Sequence, residues 1–188
     1  MERSGDRVGH LEDSDPTDLD LLKQVADGDE VAFGLLATRL GPTLRRVLFR
    51  LGLTAPEADD VVQDVLIKIW KGSASFQARS SVSTWACRIA VNEGISALRR
   101  RPEAASMEPV RVIDPESAWE QQQLISAVRS AVTTLPLPER TVIVLRDYEG
   151  MSYREIAAVL GIPIGTVMSR LHKARSRVRR KLSLDFER

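Results

Sequence analysis

Apolar residues recur along most of the chain at spacings of three and four, which lines one face of an α-helix, and no alternating run of strand type stands out. Thr17 is placed to cap a first helix, with Asp18 and Asp20 in its positive first turn, Leu19, Leu22 and Val25 on its core face and Gly28 at its end. Asp29 caps a second, with Phe33, Leu36 and Leu40 inside. Gly41-Pro42 predicts a break or kink there. A basic helix follows, with Leu44, Val47, Leu48 and Leu51 inside, Arg45, Arg46 and Arg50 outside, and Gly52 as its stop. Thr54-Ala-Pro-Glu57 is a capping box in front of a strong stripe: Ala58, Val61, Val62, Val65, Leu66, Ile69 and Trp70. A small polar loop over 72–81 holds one aromatic, Phe76. Ser83 can then cap a helix reaching Leu98, with Trp85, Ile89, Ile95 and Leu98 facing inward and Arg88 and Asn92 sharing another face. Arg99-Arg-Arg101 suits the negative end of that helix, and Pro102 stops it.

Residues 102–118 carry Pro102, Pro109 and Pro115 and no helical period, the pattern of a linker. Trp119–Val132 resumes the period, Leu135-Pro-Leu-Pro138 turns, and a helix over Glu139–Tyr148 ends at Glu149-Gly150. Ser152 and Glu155 then form a second capping box before Ile156, Ala157 and Leu160. Gly161 supplies a left-handed stop and Pro163 prevents continuation. The last helix carries Val167, Leu171, Ala174, Val178 and Leu182 on one stripe and Thr, Ser, His, Lys and Arg on its other faces. Helix, tight turn and basic second helix together make a helix-turn-helix. The chain is therefore expected to be all-α: a disordered tail over 1–17, a helical bundle over 18–101, a flexible linker over 102–118 and a second bundle over 119–185.

Charge sharpens this division. The net charge is only +1, but residues 1–17 and 102–118 each carry −3 while residues 119–188 carry +5. The basic excess lies on the candidate DNA reader, where phosphate attraction supplies much of the affinity. No apolar run approaches the roughly 18 residues of a membrane span, and no signal peptide opens the chain. The one cysteine, Cys87, has no Cys or His at metal spacing, and a reducing cytoplasm is expected. Enzymatic chemistry has little support: His10 lies in the tail, His172 on the basic helix, and there is no phosphate-binding glycine motif. No cofactor and no metal are expected.

Two further surfaces carry candidate chemistry. Opposite the stripe of the 55–70 helix lie Asp60, Gln63, Asp64 and Ile67, an acidic face with an apolar centre suited to protein docking. Burial of Ile67 by a neighbouring helix is the alternative, and pattern leaves both open. The Phe76 loop beside Arg88 and Asn92 is suited to stacking and hydrogen-bonding unpaired bases, although a core Trp85 and a solvated arginine terminus explain the same residues.

Four segments taken together resemble the bacterial RNA polymerase sigma factors of the extracytoplasmic-function (ECF) group. They are Asp29-Glu-Val-Ala-Phe33, Asp59-Asp-Val-Val-Gln-Asp-Val65 with Ile69-Trp70, Ser83 to Asn92, and Leu135 to Arg175, and their order and spacing make the match. The resemblance implies sigma region 2 over 18–101 and region 4 over 119–185. It implies docking of Asp60, Gln63, Asp64 and Ile67 on the polymerase β′ clamp helices, and contact of the C-terminal bundle with the β flap. It implies opening and reading of the −10 element by Phe76, Ser80, Ser83, Arg88, Asn92, Arg99 and Arg100, with Trp85 mainly structural. It also implies reading of −35 duplex by Arg154, Ile164, Thr166, Met168, Ser169, Arg170, His172 and Lys173. An anti-sigma factor is implied as a further partner beside core polymerase and promoter DNA. Met168 departs from the family, which often has Lys or Arg there; Ala86-Cys87 replaces a bulkier pair, and Ser96 an acidic residue. The competing expectation is an autonomous helix-turn-helix regulator binding paired half-sites as a dimer.

Overall fold

The computed structural model describes residues 15–101 and 119–186. The expected tail, apart from its last three residues, and the expected linker lie outside the described residues. Eight α-helices and no strand are present among the described residues: α1 (Asp18–Ala26), α2 (Glu30–Leu51), α3 (Ala55–Gly72), α4 (Val82–Arg100), α5 (Trp119–Thr133), α6 (Leu137–Ile143), α7 (Tyr153–Leu160) and α8 (Ile164–Phe186). The caps are where the sequence places them at most ends. Thr17 Oγ1 accepts from the Asp20 N–H at 3.2 Å, and Asp29 Oδ1 accepts from the Val31 and Ala32 N–H groups at 2.8 and 3.0 Å. Gly52 takes the left-handed conformation, φ 107°, that closes α2.

Four local expectations are corrected. In α1 the buried leucines are Leu21 and Leu22, while Leu19 is 36% exposed. The buried arc of Leu21, Leu22 and Val25 centres near Val25, and Leu19 lies roughly 120° round the helix from that residue. Gly41-Pro42 does not break the chain, because α2 runs through it from Glu30 to Leu51. Pro42 costs one hydrogen bond on the exposed side, while Leu36, Leu40, Leu44, Val47, Leu48 and Leu51 share one buried stripe whose packing outweighs it. The cap of α4 is Ser81, not Ser83: Ser81 Oγ accepts from the Thr84 N–H at 3.1 Å. Val82 is buried and sets the register of a stripe that continues through Ala86, Cys87, Ala90, Val91 and Gly94. Finally, the 139–148 segment is not one α-helix. After α6, Val144–Tyr148 forms a π-helical turn. Val142, Ile143, Val144 and Leu145 are all at most 5% exposed, and four consecutive buried residues exceed what one face of an α-helix can hide.

The inward side of α4 is built from small residues, so α2 and α4 approach closely, while Trp85, Ile89, Ile95 and Leu98 sit at the margins, only partly buried. A Cβ on Gly94 would stand 2.6 Å from Leu48 Cδ2, and Leu48 is itself fully buried. Gly94→Ala is therefore expected to lower stability by about 1–3 kcal/mol through overpacking, less the ~1 kcal/mol that alanine gains in a helix. A denaturant melt checks this, and a stabilised variant would show that α2 and α4 separate freely.

The two bundles pack on each other. α2 meets α6 and the π turn, and α4 meets α7. Arg140, 9% exposed, donates Nη1 to the Leu51 carbonyl at the end of α2 (2.8 Å) and Nη2 to the Leu135 carbonyl (2.9 Å). Glu149, with a side chain 6% exposed, accepts from Arg50 at 2.6 Å and Arg46 at 3.3 Å. The Arg50 guanidinium also lies 4.4 Å from the centre of the Tyr148 ring.

Candidate functional site

The outer face of α3 is held rigidly and left bare. Ala58, Val61, Val65 and Ile69 are buried on one side of the helix. Asp60, Gln63, Asp64 and Ile67 project from the other, Ile67 45% exposed, so no helix among the described residues covers it. Three other charges of the helix are paired: Asp59 binds Arg45 (2.5 Å), which holds its carboxyl below the usual range, Lys68 pairs with Glu93, and Glu57 pairs with Arg101. Among the described residues, Asp60 and Asp64 make no ion pair.

Beyond α3 a short 3₁₀ turn (Ser73–Ser75) leads into an extended loop. Phe76 is half-buried, its ring 5.1 Å from that of Trp85, so it anchors the loop on α4. The exposed part of the loop is Gln77, Ala78, Arg79 and Ser80, with Ala78 in the left-handed region at φ 50°. Ser80 donates to the Ser81 carbonyl, and Ser83 sits in the first turn of α4, partly exposed. Arg88, Asn92, Arg99 and Arg100 are all exposed along α4. Arg79 escaped the sequence reading; as the loop's single cation it was legible from position alone.

The helix-turn-helix is formed by α7 and α8. The Glu155 carboxylate accepts from the Ser152 N–H at 2.8 Å, which with the Ser152 hydroxyl holds it below the ordinary range, and the Glu155 N–H donates to Ser152 Oγ at 3.2 Å. Gly161 is left-handed at φ 63°. Val167, Leu171 and Ala174 are at most 2% exposed and fix the rotation of α8. Ile164, Met168, Ser169, His172 and Lys173 then face solvent, with Thr166 and Arg170 at the flank and Arg154 exposed at the start of α7. Two arginines of α8 are structural. Arg175 binds Asp147 at 2.5 and 3.1 Å, and Arg177 binds Glu139 at 3.1 Å. They clamp α8 to the preceding elements, which shrinks the basic set available to a partner.

No group of three His, Cys, Asp or Glu is arranged to hold a metal among the described residues, and none of their helices is long and apolar enough to cross a membrane. Cys87 is buried, and desolvation, with Glu149 nearby, pushes its thiol up to about 11, so it stays protonated at neutral pH.

The described residues thus form an all-α chain with a helix-turn-helix, a second polar helix-loop face and a bare acidic face on α3, an arrangement suited to a transcription initiation factor. The comparisons make this specific. The sigma-70 region 2 model matches residues 36–102, and the sigma-70 region 4 model matches residues 125–178. The ECF RNA polymerase sigma-E factor of Escherichia coli K12 is 32% identical over 181 residues, covering 88% of this chain and 94% of that one. The RNA polymerase sigma-H factor of Pseudomonas aeruginosa is 32% identical over 180 residues, covering 88% and 93%. Among solved structures, CnrH in complex with the cytosolic domain of CnrY matches at TM-score 0.70 and 31% identity, covering 89% of this chain and 98% of that one. RpoE in complex with the anti-sigma factor NepR from Bartonella quintana matches at TM-score 0.64 and 27% identity, covering 81% and 98%. The chain belongs to the sigma-70 family, in its ECF group, and is a sigma factor that directs promoter-specific transcription initiation. The reading as an autonomous dimeric regulator is displaced.

Proposed function

We propose that residues 18–101 work as sigma region 2 and residues 119–185 as region 4, joined by the 102–118 linker, in the cytoplasm. Asp60, Gln63, Asp64 and Ile67 dock on the β′ clamp helices of core polymerase, and the C-terminal bundle meets the β flap. The observation that carries the docking assignment is the bare α3 face: two carboxylates without an ion pair among the described residues, around a 45% exposed isoleucine. Ser80, Ser83, Arg88, Asn92, Arg99 and Arg100 hold the melted −10 strand, with Phe76 fixing the loop against Trp85. Arg154, Ile164, Thr166, Met168, Ser169, Arg170, His172 and Lys173 read −35 duplex. An anti-sigma factor is the expected inhibitor, supported by the solved relatives that carry such partners.

This assignment requires the bundles to part. α4 contacts α7, and α7 contacts α8, so the two reading helices lie within about 20 Å of each other at ordinary helix spacings of 8–10 Å. The −35 and −10 elements are roughly 25 base pairs apart, or about 85 Å at 3.4 Å per pair. The packed arrangement cannot span them. An extended linker of roughly 17 residues reaches about 56–61 Å, which with the bundles' own dimensions covers the distance. Two weak readers on one linker then act as one strong reader once polymerase holds them apart.

The test is a promoter gel shift with and without core polymerase. Weak, non-specific binding by the free protein and tight, specific binding by the holoenzyme are expected. Tight specific binding by the free protein would overturn the assignment.

A further inference from the structure

The reading face of α8 is basic and polar except at two positions. Ile164 is 42% exposed and Met168 54% exposed. They are one turn apart on the same side of the helix, and His172 continues their row one turn further on, with Ser169 and Lys173 exposed on the adjoining side. This is not a loose end, because Val167, Leu171 and Ala174 lock the helix rotation beneath them. The start of α8 has its own order as well, with the Thr166 N–H bonded to the Pro163 carbonyl at 2.9 Å. Two uncovered apolar side chains in a basic field do nothing for phosphate binding, which needs donors or cations. Met168 has no donor, so it cannot read guanine through O6 and N7 as Arg or Lys does. In the major groove one base edge is apolar: the C5-methyl of thymine.

On the reading of α8 as the −35 reader, we propose that Ile164 and Met168 contact thymine methyl groups, so that A·T pairs are specified there by apolar contact. The residues are about 6 Å apart along the helix axis, which places the two thymines within about two base steps of each other. Ser169, His172 and Lys173 then serve the neighbouring bases and phosphates.

The test uses holoenzyme and a pool of promoter duplexes randomised upstream of the start site. From the selected sequence, each thymidine of the −35 region is replaced singly by deoxyuridine, which removes only the methyl. One or two positions are expected at which uracil weakens binding by about three- to fivefold, the transfer value of one buried methyl group. Met168→Ala should bind the thymine duplex weaker by a similar factor and be indifferent to uracil at one of those positions. Met168→Lys should move the preference there toward guanine. Because Met168 is exposed, circular dichroism should match the parent protein for both variants. Uracil tolerated at every position, a selected element without A·T pairs there, or undiminished uracil sensitivity in Met168→Ala would each overturn the proposal. A selection yielding no upstream preference at all would overturn it together with the −35 assignment of α8. A clear element indifferent to uracil overturns the thymine contact alone.

Discussion

Asp64→Arg is expected to abolish co-purification with core RNA polymerase, weakening the complex by two orders of magnitude or more while leaving the helical fold intact. The asymmetry follows from where Asp64 stands. It is exposed, has no intramolecular ion pair, and lies on the face of α3 opposite the buried Val61, Val65 and Ile69. Nothing in the folded chain depends on its charge. A partner that meets this face must present basic or donor groups to Asp60 and Asp64, and reversing one charge in such an interface costs several kcal/mol. At 1.4 kcal/mol per decade, this exceeds a hundredfold. Asp59 provides the contrast on the same helix, because its carboxylate is already bound to Arg45. Asp59→Asn should therefore leave polymerase binding nearly unchanged. Co-purification by Asp64→Arg at the parental level would remove α3 from the docking role and leave Ile67 unexplained.

The parts of the fold that were legible in sequence are those decided locally. A cap is a choice made by three or four neighbouring residues, so Thr17, Asp29 and the Ser152–Glu155 box are where their chemistry puts them. The helix-turn-helix was legible for the same reason, since Gly161 and Pro163 leave the backbone little choice. What escaped was decided by tertiary packing. Pro42 reads as a breaker, but six residues of α2 share one buried stripe and the helix continues past it to Leu51. The π turn at Val144–Tyr148 answers to burial on several sides, which no single helical period announces. Pattern places Arg175 and Arg177 on the polar, basic side of α8, yet the fold spends them on Asp147 and Glu139, 28 and 38 positions earlier in the chain. Ile67 could not be decided from pattern either, because exposure depends on which helices come to lie beside α3. The bundle-to-bundle junction was invisible for a related reason. Arg46, Arg50 and Glu149 each look like ordinary surface charges until the fold brings them together across 99 and 103 positions.

That junction supports the second large effect. Glu149→Arg should open the packed arrangement, raising the radius of gyration measured by small-angle scattering clearly above the roughly 16 Å of a compact chain of this length. The Glu149 side chain is 6% exposed and satisfies both Arg50 and Arg46. Reversing it places a third guanidinium beside those of Arg46 and Arg50, at a position where the side chain itself is nearly buried. Removing one member of a buried pair costs about 3–5 kcal/mol, and the lower end applies because Arg46 is half exposed. Even about 3 kcal/mol shifts a closed-to-open ratio by some two orders of magnitude. Each bundle keeps its own core, Leu36, Leu48 and Val65 in one and Ile156, Val167 and Leu171 in the other, so helical circular dichroism should persist. On the proposed separation of the readers during promoter engagement, the opened variant should also bind core polymerase at least as well as the parent protein. An unchanged radius would mean that Arg140 at the Leu51 carbonyl and the α4–α7 contact hold the junction without Glu149. An increased radius with impaired polymerase binding would mean instead that the packed form is the one polymerase accepts, and the separation of the readers would have to follow docking rather than precede it.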